Sequence, residues 1–365
     1  MDNGIVLTLE KKSQSTGVRC GRWSVISECE SGHHHAKSLY CGKEWCSVCG
    51  IHGSKAHNRR IARVIPKAIQ IKTMGYFVIE FPDAYRKIGA AGLTPDEITG
   101  AAWCYSKRDL IDTTNRIVDI LAGKRNKTKR RNNGYFERGL LRWHWFGDKI
   151  PGKYNPHVNV LVDGAYIEND KLNEIKKALQ NELVCPDLIV NYHYYDQPGQ
   201  MYQKVEYITR PTFTDYKWSP YMANELYNFR NQRWWGKWTS APAWSIKDGK
   251  DYSINEIMAV SKLQKNICPE CGKPLKTLGY NFRTGRPVKW TRPIDSIYLM
   301  LWSATEIAVT GYYRLDKSNL TTDDIIYLSG RNNGMEGLNH GRKRARKNKQ
   351  AGASGDECRR GAGQS

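Results

Sequence analysis

The sequence predicts an α+β fold: an antiparallel sheet backed by helices, with zinc-binding additions. Three observations carry this expectation. Four stretches, 74–82, 140–146, 155–163 and 187–195, alternate along the chain with the period of two that marks a strand. Between and after them, 94–121, 169–184 and the stretch from Pro198 onward carry apolar residues at helical spacing. Cysteines recur as Cys46-Ser-Val-Cys49-Gly50 and Cys268-Pro-Glu-Cys271-Gly272, the spacing of a zinc knuckle. A hairpin followed by helix, strand and helix is the connectivity an antiparallel sheet covered by helices requires.

A chain of 365 residues has room for two or three domains. Its 57 Lys+Arg against 36 Asp+Glu leave a formal charge of +21, which favours a polyanionic partner. Twelve Trp and 21 Tyr among these cations suit stacking on unpaired bases, although for any single ring core packing is the commoner role. No run of eighteen apolar residues and no leader-like N-terminus is present, so neither a membrane span nor export is expected. A cytoplasmic setting makes the ten cysteines metal ligands before disulfides. Composition divides the chain into an N-terminal Cys/His zinc-binding region (1–68), a central domain (69–215), an aromatic and basic region with the second knuckle (216–330) and a basic tail (331–365). The tail, with nine Lys+Arg against three Asp+Glu, is predicted to be disordered.

Taken in order, the first region centres on Cys41, Cys46 and Cys49, with Cys20 as the fourth ligand; Cys29 or a histidine could replace Cys20 or Cys41. His33, His34 and His35 are expected in an exposed loop. Residues 54–69 read as a helix with Ile61, Val64 and Ile65 inward, leaving Arg59, Arg60 and Arg63 for phosphates or solvent. The strand at 74–82 puts Tyr76, Val78 and Glu80 on one face. A carboxylate in an apolar strand is costly unless paired or metal-bound, so Glu80 is a candidate ligand, or else pairs with a lysine or sits at the strand's wet end. Thr94-Pro95-Asp96-Glu97 reads as the start of a helix running to about Leu121. The basic loop 124–131, with Lys129 and Arg130, is a candidate for backbone phosphate contact. Strand 140–146 turns through a Gly/Pro/Asn-rich loop into 155–163, so the two form a hairpin. In the second strand His157 and Asn159 point the same way, each with a lone pair for a metal, and His144 could approach from its neighbour.

The helix capped at Asn169 or Asp170 buries Leu172, Ile175, Leu179 and Leu183. The helix from Pro198 buries Met201, Val205 and Ile208. At helical spacing Tyr207 lies about 120° from that stripe, on the side of Gln203 and Arg210 with Lys204 nearby. Tyr202 lies about 140° around the helix from Tyr207, so one nucleophile is expected, not two. Further on, Arg233 and Trp235 belong to an aromatic, basic run that suits stacking on single-stranded DNA, with core packing expected for at least half of it. The knuckle at Cys268 and Cys271 lacks a second half, because no Cys or His follows before His340; it borrows ligands from the N-terminal cluster or binds no metal.

The apolar strand 76–82, the His157-Val158-Asn159 strand and the Tyr207-Ile208-Thr209-Arg210 helix, in this order, resemble the HUH endonucleases that initiate rolling-circle replication of plasmids and single-stranded DNA viruses. The resemblance spans about 70–215, and Asn159 stands where the family's middle motif has a second histidine. It implies an HUH-type palm, an RRM- or ferredoxin-like sheet. It also implies that Tyr207 attacks an origin strand, keeps the 5′ end as a phosphotyrosine and frees a 3′-OH for a polymerase. Lys204 and Arg210 would stabilise phosphate charge. Mn²⁺ or Mg²⁺ would sit on His157 and Asn159 with Glu80 or His144, beside structural Zn²⁺. With no G-x4-G-K-[ST] run, a host helicase would be needed. Gln203 occupies the place of a hydrolytic glutamate in some relatives, which implies that religation ends the cycle. A transposase or relaxase would share the chemistry; a non-enzymatic zinc-dependent nucleic-acid-binding protein would bind without a covalent adduct.

Overall fold

The computed structural model describes residues 20–85, 106–125, 131–132, 134–147, 154–213, 220–227, 229–245, 253–277, 280–281, 286–287, 294–295, 299 and 304–315. The chain opens with β1 (Trp23–Cys29) and β2 (His34–Ser38), then α1 (Lys55–Ala68) and β3 (Met74–Glu80). Next come α2 (Lys107–Ala122), the two-residue strands β4 (Lys124–Arg125) and β5 (Arg131–Asn132), β6 (Gly139–Phe146) and β7 (Tyr154–Asp163). Then follow α3 (Asn169–Leu183), β8 (Ile189–Tyr195), α4 (Pro198–Thr209), α5 (Pro220–Leu226), β9 (Gln232–Trp235) and α6 (Ile254–Gln264). Short strands close the described chain: β10 (Leu275–Thr277), β11 (Tyr280–Asn281), β12 (Arg286–Pro287), β13 (Ile294–Asp295), β14 (Thr305–Ile307) and β15 (Tyr312–Leu315).

Two antiparallel sheets organise these elements. The central sheet runs β8-β3-β7-β6-β9. One face carries Phe77, Ile79, Val158, Val160, Leu141 and Trp143, all buried, against Leu110, Ile117 and Leu121 of α2 and Ile175, Leu179 and Leu183 of α3. Each such side chain contributes about 1.5–3 kcal/mol by leaving water. The opposite face meets α1, α4 and α6 through Tyr76, Leu140 and Leu161, packed with Ile61, Ile65, Val205, Ile208, Ile257 and Val260. The layering is therefore helix, sheet, helix, as the periodicities require. The second sheet runs β10-β1-β2-β15-β14, with β13 also on β1. It joins residues near the N-terminus to residues beyond 274, while β9 joins the central sheet. The consecutive segments of the sequence reading thus interlace in the fold.

Two local expectations change. His34 and His35 lie in β2 rather than in an exposed loop, and His35 is buried, because the second sheet supplies β2 with partners on both sides. The helix ending at Ala122 starts at Lys107. Ser106 has extended dihedrals and forms a capping box with Asp109, which satisfies the first N–H groups and fixes the start there. The proposed start at Thr94 lies outside the described residues, as do Lys129, Arg130 and the tail.

Candidate active site and metal centres

The hairpin register brings the candidate residues together. His144 of β6 and Glu80 of β3 stand directly opposite His157 of β7, and Arg142 stands opposite Asn159. All of these side chains share the face that α4 covers. Pro198 opens α4, and Met201, Tyr202, Val205 and Ile208 seat it on the sheet. This buries Tyr202 in the core and leaves Tyr207 half-buried at the polar end of the face. The Tyr207 ring lies 5.4 Å from that of His144 and 6.4 Å, edge-on, from that of Tyr76. Arg210 places its guanidinium carbon 4.1 Å from the Tyr207 ring centre and donates from Nη2 to the hydroxyl at 3.2 Å. Lys204 Nζ lies 5.7 Å from the same ring.

The two histidines are 5.3 Å apart between ring centres. His157 Nδ1 donates to the Asn155 carbonyl at 2.8 Å, and His144 Nε2 donates to the Ile208 carbonyl at 3.1 Å. Each bond fixes a tautomer and leaves the other nitrogen, Nε2 of His157 and Nδ1 of His144, as the lone-pair side. A backbone carbonyl behind the ring is the usual support of a metal-bound imidazole. His144 is fully buried, its Nδ1 has no hydrogen-bond partner, and burial followed by the neighbouring His157 holds it well below the ordinary imidazole range. It is therefore neutral and able to ligate. Asn159 is also fully buried; its Oδ1 accepts from the Tyr76 hydroxyl and its Nδ2 has no partner. Glu80 faces His157 across the sheet, but among the described residues its carboxylate does not join the two histidines in a three-ligand group. This end of β3 leaves the Glu80 side chain half in solvent.

Cysteines form two further groups, each able to hold a metal such as zinc. Cys20, Cys41, Cys46 and Cys49 have ligand atoms within 4.8 Å of one another, with Cys49 Sγ 3.2 Å from that of Cys20 and 3.7 Å from that of Cys41. Thiol contacts push Cys46 down and hold Cys41 at about 7, with Cys20 the main cause for each. Thiolate is the form a metal takes. In the second group Cys29 and His33 complete the knuckle of Cys268 and Cys271. Four ligands at zinc distances put sulfur–sulfur edges at about 3.8 Å and sulfur–nitrogen edges at about 3.6 Å. The edges found are 3.5 Å for Cys29–Cys271, 3.4 Å for Cys29–His33 and 3.6 Å for Cys268–His33. His33 turns its Nε2 to Glu270 at 3.5 Å, the carboxylate support expected behind a ligating histidine. The Lys273 N–H lowers the Cys271 thiol to about 6. The ligands that the knuckle lacks thus lie in the N-terminal Cys/His region, at Cys29 and His33, separate from the group of Cys20, Cys41, Cys46 and Cys49.

Two proposed DNA contacts are corrected. Arg59 is buried and gives its guanidinium to carbonyls of Thr310, Ser38 and Gly311 at 2.6, 2.7 and 2.9 Å, between the rings of Tyr40 and Tyr312. It joins α1 to the second sheet. Trp235 is buried over Gly139, where a Cβ would come within 2.2 Å of its ring, and its Nε1 donates to the Phe136 carbonyl. Arg233 is half-buried beside it in β9. Arg60 donates Nε to the Thr209 carbonyl at 2.9 Å, while its Nη2 is buried without a partner. The sequence reading also missed two residues. Tyr76 was legible as sharing a face with Glu80, but its bond to Asn159 was not. Glu44, inside the first knuckle, accepts from Arg142, from the Thr212 and Phe213 N–H groups and from Asn231. No family model, curated protein or solved structure matches the chain.

Proposed function

We propose that the protein is a rolling-circle replication initiator that nicks one strand of origin DNA through Tyr207. The observation that supports this is the convergence, on one sheet face, of a cation-flanked phenol with two neighbouring histidines, each bonded through one ring nitrogen to a backbone carbonyl. A periodic sequence motif alone could not bring about that meeting. It depends on the register of β6 with β7 and on the seating of α4.

In this reading the Tyr207 oxygen loses its proton and attacks the scissile phosphorus. The bond to the 3′ oxygen breaks, and that oxygen takes up, through water, the proton that Tyr207 released, leaving a free 3′-OH. Arg210 holds the phenol and lowers the cost of its ionisation. Lys204, 5.7 Å from the Tyr207 ring centre, would stabilise negative charge developing on the phosphate. His144 Nδ1 and His157 Nε2 would hold Mn²⁺ or Mg²⁺, which supplies Lewis-acid polarisation of the phosphate. Asn159 is oriented by Tyr76, so Oδ1 has one lone pair already engaged. Zinc at the two cysteine groups would be structural. Incubation with end-labelled single-stranded DNA and Mn²⁺ tests the reading: an adduct that survives denaturation is expected, and its absence over a panel of origin-like sequences would reject it.

A further inference from the structure

A cleft of about 740 Å³ opens where the first knuckle, α1, the β6–β9 edge and α6 meet. Nine of its lining residues are Lys or Arg and one, Glu44, is acidic. The Glu44 charge is already committed to Arg142 and to N–H donors of 212, 213 and 231. Arg63, Arg230 and Lys265 are exposed on the rim and have no carboxylate partner among the described residues. Arg60 points a buried, unpartnered Nη2 into the same region. Like charges crowd one another here. Burial lowers Lys67, and Lys265 and Arg230 lower it further. Burial and then Arg142 bring Arg60 down to about 10. Such a concentration of charge needs an anion with several negative groups, not a single one.

The walls narrow the class. Lys43 lies 5.9 Å from the Trp45 ring centre and Lys67 lies 4.1 Å from that of Trp234, so cations alternate with flat aromatic faces. That alternation fits phosphates and unstacked bases together. The cleft also adjoins the exit of the tyrosine helix: Arg60 and Arg142 donate to the carbonyls of Thr209 and Arg210, two and three residues past Tyr207. We propose that this cleft binds a stretch of single-stranded DNA flanking the nicked phosphate. The choice of DNA rests on the nickase reading; the cleft and its preference for a single-stranded polyanion do not.

The test uses full-length Tyr207→Phe protein, so that binding is read without strand cleavage. Anisotropy with labelled oligothymidylate and oligouridylate compares three proteins: this parent, the parent with Arg63→Ala, Arg230→Ala and Lys265→Ala, and a control with Lys72→Ala, Lys171→Ala and Lys177→Ala. All six positions are exposed, and each triple variant removes the same charge. The cleft variant should lose about 10-fold or more in affinity for oligothymidylate, with a salt slope shallower by about 2, while the control changes little. Equal loss in both variants, or none in the cleft variant, overturns the proposal, and tight binding of oligouridylate alone overturns the choice of DNA. Adduct formation by the Tyr207 protein is scored separately. An adduct with an unaffected cleft variant rejects the cleft alone; a weakened cleft variant without any adduct rejects the nickase alone.

Discussion

Tyr207 is set apart from Tyr202, the other tyrosine of its helix, by what surrounds its hydroxyl. Tyr202 is buried in the apolar layer, whereas Tyr207 has Arg210 on its oxygen and Lys204 near its ring. Tyr207→Phe keeps the ring contacts with His144 and Tyr76, so the fold and DNA binding should persist while adduct yield falls by on the order of 10³ or more. Undiminished adduct in that variant would show that another residue attacks. His144→Ala removes a neutral, orphaned nitrogen, and Mn²⁺ binding by calorimetry should weaken by about 10–100-fold. Unchanged Mn²⁺ affinity would mean that the ion sits elsewhere. His57 makes a separate, structural prediction. Its Nδ1 accepts from the Gly53 N–H at 3.0 Å, and its Nε2 faces the Glu206 carbonyl at 3.3 Å and Thr209 Oγ1 at 3.2 Å. Burial, then the charge of Arg60, depresses it to about 3. As pH falls, the unfolded chain takes up this proton near the ordinary value of 6.5, before the folded chain does. The stabilisation is therefore complete above pH 6.5 and is lost as pH drops towards 3. Denaturant titrations should show wild type losing about 1.4 kcal/mol per pH unit more than His57→Gln over that window. Parallel curves for the two proteins would contradict it.

Among the elements, α1 and the first knuckle bind the layers together. The helix is amphipathic, and its inward residues Ile61, Val64 and Ile65 are buried as the spacing requires. Its outward side was less legible. Arg59 and Arg60 look alike in sequence, yet Arg59 meets three carbonyls of the second sheet and Arg60 meets the end of α4. Which arginine becomes structural depends on what lies opposite, and that partner is some 250 residues away in the chain. Glu44 shows the same limit. A charged residue between Cys41 and Cys46 reads as solvent-facing, but the fold buries it against Arg142 and the N–H groups that follow the tyrosine helix. Glu44→Gln leaves the Arg142 guanidinium without its counter-charge, so stability should fall by about 3–5 kcal/mol. A loss below about 1 kcal/mol in urea titration would show that the pair is not what holds the knuckle to the sheet.

On the scale of the molecule, β3, β6, β7 and β8 of the central sheet were legible because each strand's alternation is local and each helix stripe repeats within a few turns, whereas β9 was hidden in an aromatic, basic run. The second sheet was not legible. Its late strands are short, β10, β13 and β14 having only two or three residues each, and β10, β13 and β15 find their partners in β1 and β2 at the opposite end of the chain. The isolated knuckle at Cys268 and Cys271 was the one local sign of this closure, and its missing half is found 242 residues upstream of Cys271, at Cys29, with His33. Closing so long a loop in the unfolded chain costs on the order of 5 kcal/mol of entropy, so the metal is held only once β1 and β10 have met, and its binding free energy stabilises the native fold alone. The two cysteine groups should therefore behave differently on metal loss. Elemental analysis is expected to find two zinc ions per chain in wild type and one in either Cys41→Ser or Cys29→Ser. In Cys29→Ser, hydrogen exchange should rise in β1, β2, β10 and β15 together, because these strands share the clipped sheet, while β3, β6 and β7 remain protected by their own core. In Cys41→Ser the rise should centre on residues 41–50 and spread through Glu44 to residues 212–213. Exchange that rises uniformly across both sheets in each variant would mean that the molecule unfolds as one unit and that the second metal is no separate staple.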